Sequence, residues 1–145
     1  MPETDLEHVI LVVVGASLRA ERMDRPLGYR LAEEISRRLG DGSVHRPLVI
    51  TDVLYLNDEC LQRCPTISIG GPGVNGLSAV LFRELPSALA IDNVLIIQMD
   101  VELDDHRCCV WGMDHEQTVQ ALDLFLDRGH LNRFLEGVNN CGPAR

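Results

Sequence analysis

The 145-residue chain contains no lysine; all 13 of its basic residues are arginine. That absence excludes a Schiff-base lysine and a P-loop lysine. An anion held by this chain must rest on Arg, His or backbone N–H groups. No run of 18 apolar residues occurs, so no transmembrane helix is expected. The apolar run at 9–16, behind an acidic start, is too short and wrongly flanked for a signal peptide. Aromatics are scarce, at 4%, and no arginine stripe is interleaved with them; the net charge is −9. Nucleic acid and anionic membrane therefore fit poorly as partners, and the acidity itself reads as solubility. The cysteines number five, an odd count with no export signal, which points to reduced thiols and a cytoplasmic location. Ser17, Ser68 and Ser78 lie in no G-x-S-x-G elbow.

What is present describes one ordinary α/β domain spanning 1–145. With 46% hydrophobic and 24% charged residues, a chain of this size can bury roughly 68–70% of its unfolded surface without disulfide or metal. Residues 8–15 (HVILVVVG) are nearly continuous apolar sequence, the pattern of a strand buried on both faces of a parallel sheet. Residues 16–25 read as a polar loop. Leu27, Leu31, Ile35 and Leu39 then recur every four residues, predicting a helix with Asp24 as N-cap, Pro26 in the first turn and Gly40 as its stop. Residues 47–56 read as a second strand, broken near Asp52, and 66–70 as a third. A helix with Leu77, Val80, Leu81 and Leu85 on one face follows, closed by Pro86. Residues 93–100 form the next strand, and 108–113 return antiparallel to it, because so short a link cannot make a parallel crossover. Asp114 and Gln117 have the form of a capping box for a helix over 114–127, 131–138 form a short last helix, and 139–145 a frayed tail. This order predicts a three-layer Rossmann-like sandwich, a mostly parallel sheet with one antiparallel strand.

Ligands in such sheets bind at the carboxyl edge of the strands, and three turns are expected there. The strongest signal is Gly70-Gly71-Pro72-Gly73-Val74-Asn75. Glycines between a strand and a helix let backbone approach a ligand, and the helix start offers unpaired N–H groups. The competing reading is a tight turn that needs positive φ and close packing. The second turn holds Trp111, Asp114, His115 and Thr118. Trp111 can stack on a ring, Asp114 can accept from a hydroxyl, and His115 can titrate near neutral pH, making Asp114 and His115 the candidate acid–base pair for group transfer or hydrolysis. Each also has a plainer role, as core, cap and solvated residue respectively. In the first loop Gly15 lets backbone come close, and Ser17, Arg19 and Arg22 can clamp an anion. Asp52 either ends its strand at a site or faces solvent.

Metal ligation is a minor reading. Cys60-x3-Cys64 with His106 and Cys108 supplies candidate ligands, but Cys108 and Cys109 must point to opposite faces of a strand. Buried thiols are the simpler reading, with redox chemistry at Cys60 and Cys64 as another. Glu102, Asp104 and Asp105 cluster in a hairpin loop and read as a soluble edge. No cofactor is implied.

The two later turns together resemble the GGPxxN…GxDxxxTxxA arrangement of S-layer protein domains from methanogenic archaea. The match runs through Gly70, Gly71, Pro72, Asn75, Gly112, Asp114, Thr118 and Ala121, about 50 residues. The resemblance implies two turns packed together in one sheet, transfers no enzymatic activity, and points toward assembly. Trp111 and His115 are not part of that pattern, and those proteins are exported. The function expected is therefore binding of a small anionic or nucleotide-like ligand. The alternative is a self-associating or partner-docking module, a homo-oligomer built on an apolar stripe of Leu131, Phe134 and Leu135.

Overall fold

A computed structural model describes residues 6–92 and 94–141, with the backbone alone for 140 and 141. Six strands form one sheet: β1 (Val9–Val14), β2 (Arg46–Thr51), β3 (Thr66–Ile69), β4 (Ser87–Ile91), β5 (Leu95–Met99) and β6 (Arg107–Gly112). Their order is β2-β1-β3-β6-β5-β4. β1 pairs in parallel with β2 and β3, and β3 in parallel with β6; β5 runs antiparallel to both β6 and β4. One strand thus opposes the other five, and the ends of β1, β3 and β6 reach the same edge.

The β-branched run of β1 dictates its place. All six of its residues are buried, as a central strand covered on both faces requires. Ile10, Val12 and Val14 enter one apolar cluster with Leu31 and Ile35 of α2 (Arg25–Leu39), Phe125 of α5 (His115–Asp127) and Phe134 of α6 (His130–Cys141). Val9, Leu11 and Val13 enter the other, with Tyr55 of α3 (Asp52–Leu56), Leu77 and Leu81 of α4 (Gly76–Glu84), and Trp111. Each such side chain contributes roughly 1.5–3 kcal/mol on burial, so β1 anchors both cores.

Several expectations need correction. The loop at 16–25 holds a six-residue helix, α1 (Leu18–Met23), capped by the Ser17 hydroxyl, which accepts from the Ala20 N–H at 3.2 Å. It buries only Ala20, too little to show a period. The second half of the run at 47–56 is α3. Thr51 caps it by accepting from Leu54 N–H at 3.2 Å, so the chain turns helical where Asp52 interrupts the apolar pattern. β4 was not foreseen, because Ser-Ala-Leu-Ala-Ile at a sheet edge alternates weakly between exposed and half-buried positions. Val80 is exposed on α4. The stripe Leu131, Phe134 and Leu135 is buried against α5 and the sheet, so it offers no docking surface. Of the tail predicted at 139–145, residues 139–141 continue α6, and 142–145 lie outside the described residues, as do 1–5 and 93. No helix among the described residues is long and apolar enough to cross a membrane.

Candidate functional site at the carboxyl edge

The turns after β3 and β6 adjoin, and with α1 they enclose a cleft of about 300 Å³, at the lower end of small-molecule sites. Arg19, Gly71, Gly73, Trp111, Asp114 and His115, all anticipated as site residues, line it. Gly15, Ser17, Gly70 and Asn75 do not, and each has a physical reason to be elsewhere.

Those four residues build the edge rather than face it. A Cβ on Gly15 would stand 1.9 Å from the Val74 carbonyl oxygen, so the first loop packs directly on the glycine turn. Ser17 is engaged as the α1 cap. Gly70 has φ of 104° and leaves room for the Asp24 Oδ2, which a Cβ there would meet at 2.7 Å. Asn75 is 1% exposed. Its amide donates to the Val13 and Ile69 carbonyls at 3.1 and 2.9 Å, lacing β1 to β3, while its Oδ1 accepts from the Leu77 and Ser78 N–H groups. Asp52, also buried, accepts from the Gly76 N–H at 2.7 Å with one oxygen and from Ala16 and Val53 with the other. The N–H groups at the start of α4 are thus already satisfied by the protein's own side chains. They cannot also receive a ligand anion.

The second turn is built differently. A Cβ on Gly112 would stand 2.4 Å from the Gln117 carbonyl carbon, so α5 begins hard against β6. The Thr118 hydroxyl accepts from the Gly112 N–H at 3.1 Å and donates to the Asp114 carbonyl at 3.0 Å. Asp114 caps α5 by accepting from the Gln117 N–H at 2.8 Å, the one half of the capping box that forms. Among the described residues the first-turn N–H groups of His115 and Glu116 have no partner. The partial positive charge of a 13-residue helix therefore faces the cleft.

Trp111 is 7% exposed and belongs to an apolar cluster, edge-on to Phe82 with ring centres 6.0 Å apart. Gly71 lies over its ring, where a Cβ would come within 3.3 Å. Trp111 is therefore mainly core while also lining the cleft, and its indole N–H finds no acceptor among the described residues. The His115 Nδ1 is likewise buried without a partner among the described residues. Met23 and Met113, both exposed, stand in the cleft wall as adaptable apolar surface.

Sequence reasoning missed Asp24. It stands between α1 and α2, its N–H donating to Ala20 and its carbonyl accepting from Gly28. The expected cap bond from its side chain is absent. The carboxylate lines the cleft instead, in a residue only 6% exposed. Burial pushes its pKa above the ordinary carboxylate value, and the charges of His115 and Arg19 pull it partly back. No local pattern marks such a residue, because a helix-boundary Asp looks like a cap whichever way it points.

Cys60, Cys64, Cys108 and Cys109 lie away from this cleft. Cys108 and Cys109 face opposite sides of the sheet. The Cys109 thiol, donating to Ser78 Oγ at 3.2 Å, is pushed up to about 12 by burial. Cys64 is buried, its thiol raised by the same cause, so the pair Cys60 and Cys64 is not an exposed dithiol. Among the described residues no three His, Cys, Asp or Glu side chains gather to hold a metal ion. The carboxylate Asp105 pairs with Arg107 at 2.7 Å, which holds it below its usual range. No protein-family model and no curated protein matches this sequence.

Proposed function

We propose that this chain is a Rossmann-like three-layer sandwich that binds a small anionic or nucleotide-like ligand in the cleft beyond β3 and β6. The observation that carries the reading is Arg19, a cation on the cleft wall that has no ion-pair partner among the described residues. In a chain of net charge −9 an unpaired arginine beside a cleft is a local exception to the field. The free N–H groups at the start of α5 supply further anion-holding capacity. Gly73, around which a Cβ would find open space, lets the ligand lie against backbone. Trp111 and Met113 offer apolar contact for a ring or carbon skeleton. With Asp114 committed to its cap, the titratable groups facing a bound ligand are His115 and Asp24.

The self-association alternative rested on the α6 stripe, which is buried. From the resemblance to S-layer domains we retain, as part of this proposal, a shared pairing of the two turns.

The test is thermal unfolding with millimolar AMP, ribose 5-phosphate and inorganic phosphate, for the wild type and Arg19→Ala. A ligand at about 100 times its Kd stabilises by about 2.7 kcal/mol. At least one compound is expected to raise the melting temperature of the wild type, and the shift should shrink at least severalfold in Arg19→Ala. Melts that none of the three compounds moves would overturn the reading.

A further inference from the structure

A site for a bare anion would not place a carboxylate inside it. Asp24 accepts no hydrogen bond and joins no ion pair among the described residues, although its residue is 94% enclosed, with 6% exposed. Enclosing the residue so far strips much of the carboxylate's hydration at a cost, and its oxygens keep their opening on the cleft. It is also not paired with Arg19, though the two charges sense one another across the same cleft. The packing makes room for this arrangement: a Cβ at position 70 would meet the Asp24 Oδ2 at 2.7 Å where it now stands. The other charged groups facing it are His115, on the first turn of α5, and Asp114 beyond it. A simple phosphate bound at Arg19 would meet an unrelieved negative charge.

Resting on the anion-binding reading, we propose that the ligand carries a hydrogen-bond donor beside its anionic group. The anion rests on Arg19 and the α5 N–H groups, and the donor lies on the Asp24 carboxylate. The shared chemistry is an anion with a hydroxyl or an ammonium a few bonds away. Either would give the Asp24 carboxylate the partner the protein withholds. Asp24 is then the specificity residue, selecting donor-bearing anions against plain ones.

Titration calorimetry with three phosphate monoesters separates the possibilities. Propyl phosphate has no donor, ribose 5-phosphate carries hydroxyls, and phosphoethanolamine carries an ammonium. A hydrogen bond to a charged group corresponds to roughly ten- to a hundredfold in affinity. One of the two donor-bearing compounds should bind the wild type at least about tenfold tighter than propyl phosphate, and which one does so identifies the donor. Asp24→Ala should abolish that advantage and tighten propyl phosphate, since a repelling charge is gone. Asp24→Asn, nearly isosteric, guards against a folding defect and should reduce the advantage while also tightening propyl phosphate. If all three compounds bind the wild type alike, or the Asp24 variants keep the advantage, the donor proposal fails while the anion site stands. If none of the three binds the wild type, the anion site fails and the donor proposal falls with it.

Discussion

The two strand-to-helix turns at the carboxyl edge hold the same place in the fold and differ in what they leave open. The turn after β3 carries four glycines counting Gly76, yet the helix it starts is sealed, with Asn75 and Asp52 occupying the N–H groups of Gly76, Leu77 and Ser78. The turn after β6 has a single glycine, and the first-turn N–H groups of His115 and Glu116 have no partner among the described residues, with His115 on the cleft wall. Glycine density thus reports how closely backbone packs. Unsatisfied donors report where a ligand can bind. The first turn is the frame of the site and the second is its mouth.

This contrast can be broken most severely at the frame. Gly15→Ala drives a methyl into the Val74 carbonyl, and Asn75→Ala strands the Val13 and Ile69 carbonyls and two N–H groups in the interior. Each is expected to cost about 3 kcal/mol or more, measured by urea unfolding. A loss under about 1 kcal/mol in both would mean that the first turn is not the frame. The mouth should respond more mildly. Asp114→Ala loses a single cap bond and should cost about 1 kcal/mol, while ligand-induced stabilisation by ribose 5-phosphate persists. Loss of that stabilisation in a folded protein would instead make Asp114 a ligand contact.

The smallest effect belongs to Asp24, and its sign sharpens the comparison. Burial raises its folded pKa above the ordinary 3.8, so the folded state holds the proton more tightly than the unfolded chain. The stability this gives is complete below about pH 3.8 and is lost as pH rises through the folded value. At neutral pH, therefore, Asp24→Asn is expected to stabilise the protein, by about 0.5–1 kcal/mol, and to flatten that part of the stability–pH curve. Chemical denaturation from pH 3 to 8 checks it. A destabilised Asp24→Asn protein would show that the carboxylate serves the fold and not the cleft.

Much of the fold was legible because burial leaves periodic marks. The β1 run, the four-residue spacing of α2 and the short link that forces β5 and β6 antiparallel all follow from local sequence. α1 and β4 were illegible because a six-residue helix burying one alanine, and an edge strand of small residues, leave no period to read. At the site, Gly71, Gly73, Trp111, Asp114 and His115 could be assembled from turn chemistry. Asn75 and Asp52 could not be separated from ligand-binding residues, because the β1 carbonyl that accepts from Asn75 and the α4 N–H that donates to Asp52 are brought near only by the fold.

By itself the sequence determined which segments are strands and helices over most of the chain, and that glycines crowd one edge. The tertiary structure alone decided which polar groups at that edge are satisfied, sealing α4 with Asn75 and Asp52 and leaving Arg19, Asp24 and the start of α5 open. The reason is that periodicity is a property of neighbours along the chain. Hydrogen-bond satisfaction is a property of neighbours in space, here residues as far apart as Val13 and Asn75.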